Sequence, residues 1–351
     1  MRDGDECKSM GDAVSWYFFL HSRGKFCVYN SSSASKEVWG SMMDTPFIVG
    51  AYAAIAGELS EQEKFYDALK SQPWVSGLEV PYMANGLRED PVWFAARMVP
   101  QFSLNVLTPI PGVMAHIDDR SWGIASPDAE GRRAALAFLR EAADAMRRVN
   151  DLTGWRFFTH LALHTAPQAL GDKAALMSSL DEISGWDIDG ASLVVEHCDA
   201  WSDEHPVEKG FLQLSDELAA IKEVGAENVK ASLNWGRCAI EGRGAELPQE
   251  HIEQVAASGL LGGMIVSGAQ SKEAGGYGPW VDAHIGLHEH HSASVLTREA
   301  AGKAYRTALS AGAEYVGVKI SITSGEPTER IASIREFAEL AQFAERESLE
   351  S

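Results

Sequence analysis

The chain has 351 residues, of which 45% are hydrophobic and 23% charged, globular proportions that allow a full-sized core. Its formal net charge of -20, from 50 acidic against 30 basic residues, repels phosphates and anionic lipid, so neither nucleic acid nor a membrane is an expected partner. No run approaches the roughly 20 apolar residues of a membrane span, and Ala13–Leu20 is too short, too acidic in its approach and too poor in small residues to read as a signal peptide, so a cytoplasmic protein with reduced Cys7, Cys27, Cys198 and Cys238 is expected.

Residues 1–44 read as an N-terminal extension, set apart by the low-complexity run Ser31-Ser32-Ser33-Ala34-Ser35. Either it is disordered and natural translation starts at Met42 or Met43, or it is an arm that packs Trp16, Tyr17, Phe18 and Phe19 on the rest of the chain. Over 45–347 strand and helix signals alternate. Apolar runs of strand length occur at 47–54, 77–83, 102–108, 156–164, 192–198, 229–234, 261–267 and 315–322. Ser60-Glu61-Gln62-Glu63 has the look of a capped helix start, and Ser126-Pro127-Asp128 opens a clear amphipathic helix to about Val149. Further helices are expected at 215–224, 248–258, 297–311 and 327–345. Strict alternation implies a parallel sheet with helices outside, and eight units favour closure into a single-domain (β/α)8 barrel, an α/β TIM barrel. No GxGxxG follows the first strand, which argues against a dinucleotide-binding fold.

Chemistry in such a barrel collects where strands end. The polar residues there are Glu79 and Tyr82, His160 and His164, Glu196 with His197, Asn234-Trp235-Gly236-Arg237, Trp280, Asp282-Ala283-His284, and Lys319. Each has a plainer reading. Glu196 could be a structural carboxylate paired with an arginine inside the barrel, the strand histidines could be hydrogen-bonded core, and His288-Glu289-His290-His291 could be an exposed loop. Lys319 is more telling, because a lysine in an apolar final strand must neutralise, pair or line a polar cavity.

From about Thr45 to Glu345 the chain resembles the xylose-isomerase-like barrels, which include sugar isomerases and epimerases, hydroxypyruvate isomerase and endonucleases acting on abasic DNA. The resemblance rests on Ser126-Pro127-Asp128 with Arg132-Arg133, on Leu163-His164-Thr165-Ala166-Pro167, on Val194-Val195-Glu196-His197, on Leu233-Asn234-Trp235-Gly236-Arg237 and on Asp282-Ala283-His284-Ile285-Gly286. It implies one or two divalent metal ions. It also shows departures. Asn234 stands for the family's usual Asp, Arg237 for its His, Ser267 and Gly268 where a ligand could lie, and Lys319 for a common Glu. The chain thus looks like a bacterial branch whose metal site is lost or rebuilt. A retained metal would use Glu196, His164 and His284, and His160 or His197 could join a different set.

The expected function is an isomerase or epimerase of a small sugar or sugar-like polyol, acting by proton transfer next to a carbonyl. Glu196 would be the base, with His164 or His284 as proton shuttle. Lys319 and Arg237 would stabilise the oxyanion or hold an anionic group on a sugar acid or phosphate. Glu79, Tyr82, His160, Asn234, Trp235, Trp280 and Asp282 would bind substrate. Two alternatives stand beside it: a Schiff-base lyase of aldolase type using Lys319, and a sugar-binding protein without catalysis. The abasic-DNA route does not suit the net charge. Assembly into a homo-oligomer is left open.

Overall fold

Residues 43–55, 57–322 and 324–350 are described by a computed structural model, with the backbone of two further strands, Tyr17–Leu20 and Phe26–Tyr29. The chain divides into two compact units, residues 1–43 and residues 44–351. In the first, the two short strands pair antiparallel, with Tyr17 opposite Tyr29. The serine run, Met42 and the side chains of the 16–19 aromatic run lie outside the described residues.

The second unit is a closed barrel of eight parallel strands. They are β1 Phe47–Val49, β2 Gly77–Met83, β3 Asn105–Thr108, β4 Phe158–Leu163, β5 Ser192–His197, β6 Val229–Asn234, β7 Leu261–Val266 and β8 Tyr315–Val318. Closure is made where Val316 of β8 lies opposite Phe47, and Ile48 of β1 opposite Gly77. Strands packed on both faces read as continuous apolar runs, and all eight fall inside runs visible in the sequence. Several are shorter than those runs. The first ends at Val49 because Gly50 leads into a 3-10 turn at Ala51–Ala53. The last ends at Val318, so Lys319 comes just after the strand.

Among the helices, Ala129–Thr153 is opened by Asp128, whose side chain accepts from the N–H groups of Glu130 and Gly131. Such a cap contributes about 0.5–2 kcal/mol. The helix closes at Gly154, in the left-handed conformation at φ 81°. Ser60 does not cap the helix Leu59–Lys70. It lies within the first turn, and the cap position is Glu58, which makes no side-chain bond there. Four helices are not among those expected from the sequence: the short Pro91–Ala95 and Ile110–Met114, Lys173–Ser184, capped by Asp172, and Trp235–Gly242, capped by Asn234. Among the described residues no helix is long and apolar enough to cross a membrane.

A buried asparagine joins three segments at the lower end of the barrel. Asn105 Oδ1 accepts from Leu78 N at 2.8 Å, and its Nδ2 donates to the carbonyls of Phe102 at 2.7 Å and Phe157 at 2.8 Å. Asn105→Leu leaves all three backbone groups buried and unpaired. It should lower unfolding free energy by about 2–5 kcal/mol, read as a lower urea midpoint at unchanged m-value.

Candidate active site

Side chains alternate between the two faces of a strand. Ile48, Val106, Ala162, Val194, Ile265 and Tyr315 pack as one buried cluster in the barrel interior. Moving up the strands by two residues from this layer reaches Gly50, Thr108, His164, Glu196 and Ser267, and moving up by four from Tyr315 reaches Lys319. Five of these six are polar, and all five are buried. With Glu79 on β2 and Asn234 on β6 they form a polar layer over an apolar one, at the C-terminal ends of the strands. Gly50 is part of this construction, because a Cβ there would stand 2.8 Å from the Lys319 Cβ and Cγ.

Ion pairs knit the layer together. Glu196 accepts from Arg237 Nη1 at 2.8 Å on one oxygen and meets His164 Nε2 at 2.8 Å on the other. Arg237 also donates from Nε to Asp282 Oδ2 at 3.0 Å, and Lys209 Nζ donates to the same oxygen at 2.9 Å. The other Asp282 oxygen lies 3.0 Å from His284 Nδ1. Lys319 Nζ donates to Glu79 Oε1 at 2.9 Å and sits 5.5 Å from the centre of the Tyr52 ring. Lys209 is aimed by Asp199, whose Oδ2 gathers the backbone N–H groups of Glu208, Lys209 and Gly210. Three cations, Lys209, Arg237 and Lys319, thus face four acids, Glu79, Glu196, Asp282 and, 3.9 Å from Lys209, Asp199.

The titration of these groups is set by burial against partners. Burial alone would raise the Glu196 carboxyl, but Arg237, Lys319 and His164 outweigh it and hold it well below the usual range. Burial would lower the Lys319 amine, yet Glu79 and Tyr52 push it above its ordinary value. For Glu79 burial prevails over Lys319 and raises the carboxyl. Burial likewise lowers His164 and His284 against the pull of Glu196 and Asp282. The shift favours the neutral form of His164, and a neutral ring beside the Glu196 carboxylate donates from Nε2. Its Nδ1 is buried and has no hydrogen-bond partner. Glu79 Oε2, Asn234 Nδ2 and Thr108 Oγ1 are also buried and unpartnered.

The structure brings Glu79, His164, Glu196, Asn234, Arg237, Asp282, His284 and Lys319 into one connected region. Asn234 does so from a structural position, since its Oδ1 caps the helix Trp235–Gly242 and accepts from Ser267 Oγ at 2.7 Å. Trp235 is buried at the first helical position. Three expected residues lie elsewhere. His160 sits four residues below His164 and pairs with Glu314 at 2.8 Å, just before β8 begins. Tyr82 has the opposite parity to Glu79 and packs against Phe138 of the outer helix, ring centres 5.4 Å apart. Trp280 faces the Arg243 guanidinium in a cleft of about 520 Å³ that Glu208 and Val281, the chain neighbours of Lys209 and Asp282, also line. His288–His291 form an exposed loop, with His290 paired to Glu336. His197 points out of the barrel. Lys209 and Tyr52 were not foreseen; both lie in βα loops, where no period marks them.

This donor set does not fit a divalent ion. Both Glu196 oxygens are engaged, Asp282 Oδ2 serves two cations, and Arg237 and Lys319 occupy the space beside them. Fixed cations oppose a metal ion, which needs such oxygens free.

The fold is a (β/α)8 TIM barrel with its polar layer at the C-terminal ends of the strands. The family described as Domain of unknown function (DUF4862) matches residues 48–333, and the chain belongs to it. The uncharacterized protein STM3670 of Salmonella typhimurium is 29% identical over 286 residues, spanning 79% of this chain and 90% of its own. Among solved structures, an L-ribulose 3-epimerase aligns at TM-score 0.53 and 14% identity, covering 87% of this chain and 97% of its own. A xylose isomerase-like TIM barrel/4-hydroxyphenylpyruvate dioxygenase fusion protein aligns at TM-score 0.57 and 10% identity, over 86% of this chain and 44% of its own. At these identities the likeness to the solved structures is one of fold.

Lys319→Met would leave Glu79 buried without its cation. Breaking one side of such a pair costs about 3–5 kcal/mol, whereas replacing both partners costs far less. Urea denaturation should show that loss for the single variant and most of it recovered in Lys319→Met with Glu79→Gln.

Proposed function

We propose that this protein is an isomerase or epimerase of a small sugar or polyol that moves a proton on the carbon next to a carbonyl. The observation that carries the reading is His164. Its Nε2–H is fixed by Glu196, so its lone pair is at Nδ1, buried and without a partner. A neutral imidazole oriented by a carboxylate is a suitable general base near neutral pH. This reassigns the base from Glu196, whose carboxylate is too strongly held by Arg237 to accept a proton readily, and makes Glu196 the group that orients His164.

The remaining roles rest on what each atom offers. Glu79 has one oxygen bonded to Lys319 and the other free, and its raised carboxyl suits it to hold or return the second proton. Asn234 Nδ2 is an unpaired donor, and Lys319 brings positive charge, so both can stabilise the oxygen of an enediolate. The sugar class is in keeping with the L-ribulose 3-epimerase that shares the fold.

Charge balance moves the substrate from an anionic to a neutral sugar. Arg237 and Lys319, expected to receive a phosphate or carboxylate, are already matched by acids. A neutral polyol needs no buried ion pair broken. The same pairing speaks against the lyase reading, because Schiff-base formation requires a neutral amine and Glu79 keeps Lys319 protonated.

The test is solvent exchange. Ketoses and aldoses incubated with the protein in D2O should gain deuterium beside the carbonyl, monitored by proton NMR. His164→Gln should slow exchange about 10²–10⁴-fold while sugar binding persists. Binding by the wild-type protein without exchange would support the sugar-binding alternative and end the enzymatic reading. A preference for sugar phosphates over neutral sugars would overturn the charge argument.

The pH profile has a defined sign. His164 acts when neutral, and burial lowers its pKa from the usual 6.5. The acid limb of the exchange rate should therefore fall below pH 6.5, not centre on it.

A further inference from the structure

We propose that His197, Glu241 and His251 form a metal site for a zinc-class divalent ion on the outer wall of the barrel, with Glu217 as the carboxylate that orients His197. The site lies behind β5, on the face opposite the candidate active site, and shares no residue with it.

Parity creates it. Glu196 turns into the barrel, so its neighbour His197 turns out, among the helices Leu214–Val224, Trp235–Gly242 and Leu247–Ser258, which carry Glu217, Glu241 and His251. Among the described residues, His197, Glu241 and His251 form a group whose donor atoms all lie within 4.8 Å of one another. His197 Nε2 is 2.9 Å from Glu241 Oε2, and His251 Nε2 is 3.7 Å from Glu241 Oε1. Donors held about 2.0–2.2 Å from a shared tetrahedral ion stand about 3.3 Å apart. The two observed separations, made to different Glu241 oxygens, lie on either side of that spacing, and the group, spread over no more than 4.8 Å, closes onto an ion by rotation of the Glu241 and His251 side chains.

Two further features point to a ligand. His251 is 7% exposed, its Nδ1 has no hydrogen-bond partner and its Nε2 stands beyond bonding distance of Glu241. Its Nε2 edge faces Glu241 across a gap wider than a hydrogen bond, which an ion held by both would span. Its ring meets the His197 ring edge-on at 5.1 Å. The second feature is the outer partner of His197. Its Nδ1 lies 2.7 Å from Glu217 Oε2, and the other Glu217 oxygen accepts from Thr165 Oγ1 at 2.6 Å. A carboxylate on one imidazole nitrogen directs the lone pair of the other toward a metal and raises its basicity. Glu241 is in turn steadied by Ala200 N at 2.9 Å, and its side chain, 15% exposed, gives the site an opening to solvent.

Two imidazoles and one carboxylate suit Zn²⁺ or Co²⁺ over Mg²⁺ or Ca²⁺, which prefer oxygen alone. The ion would take the place of the proton between His197 Nε2 and Glu241, and that proton would pass to solvent. Water would complete the coordination. Loaded, the site ties β5 to the helix bearing Arg237 and so fixes the two elements that supply the Glu196–Arg237 pair.

The full-length protein, stripped with chelator, is titrated with CoCl2 and then ZnCl2. One equivalent of Co²⁺ should bind with visible d–d absorption of low coordination number, and Zn²⁺ should bleach it. His251→Gln and Glu241→Gln should each weaken binding at least tenfold, and Glu217→Gln about 10–100-fold. His251→Ala serves as a second variant, with circular dichroism to establish that each is folded. The surface variant His290→Gln should bind like wild type. Absence of a bound equivalent in wild type, or unchanged affinity in folded His251 variants, would overturn the proposal. So would loss of the ion in His164→Gln but not in His251→Gln, because the ion would then sit in the barrel mouth.

Discussion

The Glu196–Arg237 ion pair governs the interior of this barrel. Both side chains are almost wholly removed from water, and an unpaired charge at that depth would cost several kcal/mol. Once Arg237 is present, Asp282 must meet its Nε, and Lys209 and His284 are drawn to Asp282. On the opposite side Lys319 and Glu79 make the same compensation. The result is a mouth lined with charges that has little net charge. Fields inside it come from fixed, opposed pairs, which need no reorganisation when a substrate changes polarity.

The loop that closes this network is held in an unfavourable backbone conformation. Trp280 and His284 both lie in the left-handed region, at φ 59° and 52°, without being glycine. Each such residue costs about 1–3 kcal/mol unless its surroundings enforce it. Asp282, between them, receives Arg237 and Lys209, and its backbone N–H donates to Glu208. The ion pairs therefore shape the loop as well as neutralise one another.

Much of the barrel is legible in the sequence because its strands are buried on both faces and cannot hide polar residues. Glu79, Glu196 and Lys319 stand out against apolar neighbours for that reason. Helix Trp235–Gly242 is not legible, because Asn234 ends a strand and caps a helix at once, leaving no loop between them. Helix Lys173–Ser184 carries a usable signal in Asp172, its capping residue. Parity is enough to remove Tyr82, three residues from Glu79 and so on the other face. Depth is enough to remove His160, which shares a face with His164 but lies a full layer lower. What no local pattern carries is pairing at a distance. His160 finds Glu314, and Lys319 finds Glu79, across 154 and 240 residues. The second of these keeps Lys319 charged, and so decides that the amine does not act as a base.

Glu196 and His197 are adjacent in the chain and belong to two different environments, with one strand's thickness between them. A single-residue insertion or deletion in Ser192–His197 would exchange their faces, placing the imidazole against Arg237 and the carboxylate against Glu217 and Glu241. The first leaves Arg237 buried without its acid, and the second gathers three carboxylates with no cation between them. The length of this strand is consequently locked from two sides, and a lineage that alters its substrate has little freedom here.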